Sequence, residues 1–219
     1  PKPQNPNVTI IKLIMFKFSR RFFARKVSKN NTKTCYILKG DIRKFFASID
    51  QEILMQIVKK HISDADVVWL IGEIVNSFQS TAQGKGLPLG NLTSQLLVNV
   101  YMNEFDQFMK REMKVKYYIR YADDFVIMSE SLEYLEEILP KIQNFLKDKL
   151  HLILHEDKVY IQTCSSGVDF LGWVHFPDHR VLRTTTKRRM MKRIAESPSE
   201  GTVNSYLGLL GHGNAVQLG

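Results

Sequence analysis

Lys116-Tyr-Tyr-Ile-Arg-Tyr-Ala-Asp-Asp-Phe-Val-Ile-Met128 is the stretch on which the reading of this chain turns. Two runs rich in aromatic and β-branched residues, 116–121 and 125–128, flank Ala122, Asp123 and Asp124, which predicts a hairpin with acids at its tip. An Asp-Asp pair alone more often marks a turn, because Asp side chains bond their own backbone. Here apolar strand residues press on both sides of the pair, where two adjacent uncompensated charges are costly. A bound cation would relieve that cost.

Residues 35–41 form a short apolar run ending on a carboxylate, Asp41, and read as a buried strand. Ser48 with Gln51 makes a capping-box pattern that predicts a helix through about Lys60; Ser63 with Asp66 predicts a second through about Phe78. Residues 79–90 carry Gly and Pro and read as a loop. Leu92, Leu96, Leu97, Val100, Phe105, Phe108 and Met109 fall at helical spacing. Beyond the hairpin, Leu132, Leu135, Ile138, Leu139, Ile142, Phe145 and Leu146 predict another helix, kinked or broken at Pro140. Residues 152–161 and 168–174 are strand candidates. A basic helix is expected from near Thr186 and a last one over 199–210. Residues 1–7, with three prolines and two asparagines, read as an unstructured lead-in. The order predicts an α+β fold, helices lying on one face of an antiparallel sheet. Asp41, Asp123 and Asp124 would then converge on one sheet edge.

Charge narrows the partners. Lys and Arg number 31 against 22 Asp and Glu, a formal net charge of +9. Such an excess favours nucleic acid first and an anionic membrane second. No apolar run approaches the 18 or so residues of a membrane span, and Lys12 and Lys17 interrupt the run at 10–18, so neither a span nor a signal peptide is expected. Cys35 and Cys164 are far apart in sequence and match no disulfide framework or zinc spacing, which fits a reducing cytoplasm. A start at Pro1 rather than Met is what a chain with sequence upstream would show.

Three carboxylates on one edge suit nucleotidyl transfer. That chemistry needs charge neutralisation and in-line placement, which two divalent ions about 4 Å apart supply. Mg²⁺ keeps some of its waters and needs only one or two carboxylates plus substrate phosphate oxygens. Asp41 and Asp123 could supply that set, with Asp124 close by.

With these residues in view, the sequence resembles the reverse transcriptase family over about residues 26–216. Tyr121-Ala-Asp-Asp124 looks like the family's catalytic box, and Lys39-Gly-Asp-Ile-Arg-Lys-Phe-Phe46 like the strand carrying its first metal-binding aspartate. Leu87-Pro-Leu-Gly-Asn-Leu-Thr-Ser-Gln95 looks like the loop and helix that position template and incoming nucleotide. His155-Glu-Asp-Lys158 resembles the segment with a lysine near the leaving pyrophosphate. Phe170-Leu-Gly-Trp173 looks like the turn that grips the primer end. Five boxes in the family's order make a specific signal where any one alone is weak.

The resemblance implies a right-hand polymerase palm at residues 31–183, with divergent or truncated fingers or a linker at 1–30 and partial thumb helices at 184–219. It implies an RNA-directed DNA polymerase using two Mg²⁺ ions, with Mn²⁺ as a substitute, held at Asp41, Ile42 and Asp123. Catalysis falls to Asp41, Asp123, Asp124 and Lys158, and substrate binding to Phe46, Leu89, Gly90, Gln95 and Tyr121. The primer grip falls to Phe170, Leu171, Gly172 and Trp173. Expected partners are an RNA template, a DNA or RNA primer and dNTPs, in the cytoplasm of a bacterial or phage setting.

Three departures qualify the match. Leu89 stands where most relatives have Gln, and Gln95 where most have Pro. Leu-Gly-x-x-x-Ser-Gln resembles reverse transcriptases of diversity-generating retroelements and bacterial enzymes close to the group II intron type, which implies error-prone copying of template adenines and a basic accessory protein. Residues 1–30 contain Arg20, Arg21, Arg25 and Lys26 but no match to the family's triphosphate-gripping pattern.

Each residue also has a plainer reading. Phe46, five residues after Asp41, resembles a steric gate against a 2′-hydroxyl, but by itself an aromatic beside Phe45 is packing. Gly90 is a close-approach position or an ordinary helix-entry glycine. Lys158 by itself is a surface lysine. Tyr121 packs on the primer or fills the sheet. Lys187, Arg188, Arg189, Lys192 and Arg193 track phosphates along a duplex or form a solvated helix face. Trp173 and His175 suit a core. Besides the reverse transcriptase, two alternatives stand: a catalytically weak or silent nucleic-acid-binding remnant, and an RNA-templated RNA polymerase, a version that Phe46 disfavours, or a palm-type cyclase.

Overall fold

The computed structural model describes residues 34–78, 83–88, 91–177 and 179–210. They divide into two compact units, Tyr36–Ile161 and the described residues on either side of it. The expectations for residues 1–30, and those for Leu89 and Gly90, lie outside the described residues.

The larger unit is built on a mixed-sequence sheet whose strands are β1 (Tyr36–Asp41), β2 (Tyr118–Tyr121), β3 (Asp124–Ser129) and β4 (Tyr160–Thr163), in the order β2-β3-β1-β4. β3 runs antiparallel to both β2 and β1. Alternation of side chains then sorts each strand into two faces. Leu38 and Gly40 pair with Ile127 and Phe125, and Tyr118 and Arg120 pair with the same two residues. Leu38, Phe125 and Ile127 join one buried cluster with the helices α2 (Gln51–His61), α4 (Leu92–Gln107) and α5 (Leu132–Leu150). Lys39, Asp41, Tyr121 and Asp124 take the other face. The α+β architecture expected from the order of elements is present.

Gly40 is required by its neighbour. A Cβ there would stand 2.2 Å from Cζ of the Phe125 ring, which fills the space across the strand pair. The ring is fully buried and edge-on to Phe105 of α4, with centroids 5.4 Å apart. Phe108, at the π-helical turn Phe108–Glu112 that ends α4, stacks on Phe145 of α5 at 4.1 Å.

Several boundaries differ from the sequence expectation. The caps of α2 and of α3 (Ala65–Asn76) are Asp50 and Asp64, each accepting two backbone N–H bonds, rather than Ser48 and Ser63. Ser48 Oγ instead donates to the Arg43 carbonyl of the turn leading into α1 (Phe45–Ser48), and Gln51 spends its amide N–H groups on the carbonyls of Val75, Phe78 and Gly86. Pro140 does not break α5, which runs unbroken to Leu150 with Leu135, Ile138, Ile142, Leu146 and Leu150 all buried along one stripe. That stripe holds the helix down on both sides of the missing N–H. Residues 152–161 are not one strand. Leu154 makes a single bridge with Ile42, and Glu156–Lys158 closes as a 3₁₀ turn before β4.

In the second unit, residues 168–174 are a hairpin rather than a strand: β5 (Val168–Phe170) and β6 (Trp173–His175) join through Leu171 and Gly172 at φ 53° and 81°. Positive φ at both central residues is the pattern of a type I′ turn, which matches the strand twist. β7 (Arg180–Leu182) adds to β6, and α6 (Thr184–Glu196) and α7 (Glu200–Leu210) follow. Cys164 donates its N–H to the Cys35 carbonyl at 2.7 Å, so two cysteines remote in sequence are neighbours, both free thiols.

Candidate active site

The strand register builds the acid edge. Asp41, the last residue of β1, pairs with Asp124, the first of β3, and Tyr121 pairs with the same Asp124 across the hairpin. Between them Ala122 turns the chain at φ 51° and Asp123 follows, its carbonyl accepting the Ile42 N–H at 3.2 Å. The end of β1 is thus tied to the hairpin tip, and Asp41, Asp123 and Asp124 all lie where the two strands end and begin.

Two lysines answer them. Lys158 Nζ donates to Asp41 Oδ1 at 3.0 Å. The 3₁₀ turn delivers it: His155 N–H bonds the Asp41 carbonyl at 2.8 Å, and Lys158 N–H bonds the His155 carbonyl at 2.9 Å. Lys39, two residues before Asp41 on the same face, is itself buried, with Nζ 3.5 Å from Asp124 Oδ1. That is an ion-pair distance rather than a good hydrogen bond, and Asp124 Oδ1 is buried without a hydrogen-bond partner.

The electrostatics follow. Burial pushes the Asp124 carboxyl above the usual range; Lys39 opposes the rise and the Asp41 charge adds to it. Burial likewise raises Asp123, with the charges of Asp124 and Asp41 adding and Lys158 opposing. Tyr121 is raised by burial and by Asp123. Carboxylates that resist ionisation together, one with an orphaned buried oxygen, suit a divalent cation. Among the described residues no three His, Cys, Asp or Glu stand together as a metal cage. Asp41 and Asp123 are hard oxygen donors, a set that suits an ion able to complete its shell with substrate phosphate and water, as Mg²⁺ does. Ile42 could contribute only its backbone carbonyl.

The other candidates are placed as follows. Phe46 is half-buried on α1, edge-on to Phe45 with centroids 5.4 Å apart, and packs against the core cluster. Gln95 is exposed on the first turns of α4. Phe170, Leu171, Gly172 and Trp173 form the β5–β6 turn of the second unit, where Phe170 and Trp173 are fully buried. Lys187, Arg188, Arg189, Lys192 and Arg193 are all exposed on α6, with Lys192 3.6 Å from Glu196.

Two residues of this region escaped the sequence reading. Lys39 read as part of a motif and not as a buried counter-ion. Arg120 read as a strand residue, yet its guanidinium grips Asp106 of α4 with Nε at 2.8 Å and Nη2 at 2.6 Å and donates from Nη1 to the Ala122 carbonyl at 3.0 Å. A charged residue at an inward position of a half-buried strand was the available signal, since it demands a partner.

Comparison with known proteins establishes the fold and the family. Residues 5–175 match the family described as "Reverse transcriptase (RNA-dependent DNA polymerase)". That match begins ahead of residue 26, where the resemblance in motifs starts. Protein YkfC of Escherichia coli K12 is 26% identical over 210 residues, covering 79% of this chain and 54% of that protein. The group II intron-encoded protein LtrA of Lactococcus lactis subsp. cremoris is 25% identical over 224 residues, covering 72% of this chain and 37% of that protein. The chain thus spans about half or less of these relatives. Among solved structures, apo telomerase from Candida tropicalis lacking its C-terminal domain superposes with a TM-score of 0.61 at 12% identity, over 80% of this chain and 40% of that one. Telomerase from Candida albicans with a fragment of telomeric RNA gives 0.59 at 11% identity, over 80% and 34%. At such identities the likeness is one of fold. No helix among the described residues is long and apolar enough to cross a membrane.

Proposed function

Because this chain belongs to the reverse transcriptase (RNA-dependent DNA polymerase) family, we propose that it copies an RNA template into DNA, extending a DNA or RNA primer with dNTPs at the edge formed by Asp41, Asp123 and Asp124. The observation that carries the proposal is the β1–β3 register, which pairs Asp41 with Asp124 and sets Asp123 one residue away. Asp41, Asp123 and the Ile42 carbonyl would hold two Mg²⁺ ions, or Mn²⁺ in their place, which would supply charge neutralisation for in-line displacement.

The chain's own residues do the rest. Asp41 and Asp123 hold carboxylate oxygens ready, and the Lys39 charge, 3.5 Å from Asp124 Oδ1, offsets part of the acids' negative charge without satisfying that oxygen. Lys158, exposed and on a short turn, is free to leave Asp41 for a departing pyrophosphate oxygen and to give it a proton. Phe46 limits room under the sugar. Tyr121, on the acids' face, borders the primer end, while Leu89, Gly90 and Gln95 border the nascent pair. Residues 170–173 steady the primer, and Lys187, Arg188, Arg189, Lys192 and Arg193 contact nucleic-acid backbone. Residues 31–183 act as palm and 184–219 as the start of a thumb. Leu89 and Gln95 further support a diversity-generating type, error-prone at template adenines and assisted by a basic accessory protein.

Primer extension with Mg²⁺ on an RNA template, comparing dNTPs with rNTPs, tests this. Incorporation of dNTPs alone is expected. Equal use of rNTPs points to an RNA polymerase, and tight template binding with no incorporation points to a silent binding remnant.

A further inference from the structure

Arg120 works from behind the sheet. It lies on β2 in register with Phe125, on the face that carries Tyr118 and packs against α4, whereas Asp41, Tyr121 and Asp124 take the opposite face. Its side chain is 8% exposed. It therefore does not share a surface with anything bound at the acids, and its influence there must pass through the backbone.

The route is visible. Asp106 on α4 is held by three donors: Arg120 Nε at 2.8 Å and the Tyr118 hydroxyl at 2.6 Å on Oδ1, and Arg120 Nη2 at 2.6 Å on Oδ2. That leaves Nη1, which donates to the Ala122 carbonyl at 3.0 Å, with Asn99 Oδ1 at 3.4 Å. Ala122 has φ 51°, a left-handed conformation that a residue with a Cβ keeps only where its surroundings impose it. The next residue is Asp123, whose carbonyl holds the Ile42 N–H at the end of β1. From α4 to Asp41 the contacts run without a gap.

Stability alone does not account for such a pair. Replacing a buried ion pair by apolar residues of similar volume is often neutral or stabilising. What apolar residues could not do is hold a turn carbonyl while anchored to a helix. A guanidinium can, because its five donors are fixed in one plane; an ammonium has no such fork.

We infer that Arg120, anchored by Asp106, is a positioning residue for the acid turn: it fixes Ala122 in its left-handed conformation and thereby sets where Asp123 stands relative to Asp41. The consequence for catalysis rests on the polymerase reading; the structural part does not.

Two variants of the full chain test it. Arg120→Lys keeps a cation opposite Asp106 and loses the fork. The triple variant Asp106→Leu, Tyr118→Phe, Arg120→Met removes the polar cluster whole, so that no orphaned charge remains. Native-state amide exchange and single-turnover extension on a preformed primer–template are read in parallel. In both variants the Ile42 amide is expected to exchange about five to ten times faster, as for one lost hydrogen bond, while buried amides of α5 exchange as in the parent. The extension rate at saturating dNTP should fall about 10²-fold, as for a small misplacement at the reacting centre, with the half-saturating dNTP concentration unchanged. Unchanged Ile42 exchange overturns the inference, and so does acceleration shared equally by α5, which would mark Arg120 as a general stabiliser. If the triple variant does not fold, Arg120→Lys decides by the same criteria. If the parent itself extends nothing, the polymerase reading falls and the exchange result still judges Arg120.

Discussion

Replacing Gly40 by alanine sets a methyl group inside an aromatic ring. The added Cβ would lie 2.2, 2.5 and 2.9 Å from Cζ, Cε1 and Cε2 of Phe125, where ordinary contact begins near 3.4 Å. The ring cannot withdraw, because it is fully buried and Phe105 stands edge-on behind it. Overpacking of this kind costs about 1–3 kcal/mol, and a clamped ring belongs at the upper end. Relieving the flexibility of a strand glycine returns about 0.5–1 kcal/mol. A net loss of about 2 kcal/mol is expected, lowering the urea midpoint by about 1 M. Urea titration followed by far-UV circular dichroism measures it. In a Phe125→Leu background the same glycine substitution should be far milder, a coupling of about 1–3 kcal/mol in the double-mutant cycle. An unchanged midpoint in the single variant, or simple additivity in the pair, would refute the packing account of Gly40.

Other expectations follow from the site and its surroundings. Asp41→Asn or Asp123→Asn should abolish Mg²⁺-dependent extension with an unaltered circular dichroism spectrum, since an amide is a poor Mg²⁺ ligand; substantial extension by either would undo the site assignment. Phe46→Ala should sharply lower the dNTP-over-rNTP ratio in kcat/KM, whereas an unmoved ratio with a loss of about 3–5 kcal/mol would make the ring packing only. Leu89→Gln should lower misincorporation opposite template adenine, which sequencing of the products reports; an unchanged error spectrum speaks against the diversity-generating type. His175, buried with Nε2 3.2 Å from the Phe170 carbonyl, has its pKa lowered by burial from 6.5 to about 4. Its folded pKa lies below its unfolded one, so the unfolded chain takes up the proton first. Stability present above about pH 6.5 is lost as pH falls toward 4, by about 3 kcal/mol in all. His175→Gln should flatten that part of the stability–pH curve, and an equal slope in parent and variant would disprove it.

How far the sequence carried the reading varies by residue. Asp41, Asp123 and Asp124 were legible because β structure announces itself by alternation, and acids at strand ends stand out against apolar runs. The Asp41–Asp124 pairing was reachable in outline, since an edge shared by two strands follows from their order. The Arg120–Asp106 contact was not, because it depends on how β2 sits over α4, fourteen residues away by a path no periodicity describes. The helix starts were misplaced, by two residues at α2 and one at α3, because Ser, Thr and Asp compete for the cap. At Ser48 and Ser63 the neighbouring Asp50 and Asp64 won, each carboxylate taking two N–H bonds. Residues 168–174 read as one strand by composition, and only the resemblance marked a turn at Phe170–Trp173, because Leu171 is an uncommon choice for a left-handed position. Pro140 misled by a general rule that five buried apolar neighbours overrode.

The sheet also acts as its own proofreader. Along β1, residues alternate strictly between those that belong with the helices and those that belong with the acids. A slip of one residue against β3 would turn Lys39 and Asp41 into the apolar layer and Leu38 out of it. Such a slip cannot yield a well-packed molecule with misplaced carboxylates, because the same displacement that spoils the acid edge also evicts the core. Correct folding and a correct acid edge are therefore one event. Single-residue insertions or deletions in Tyr36–Asp41 should produce unfolded chains rather than folded, inert ones.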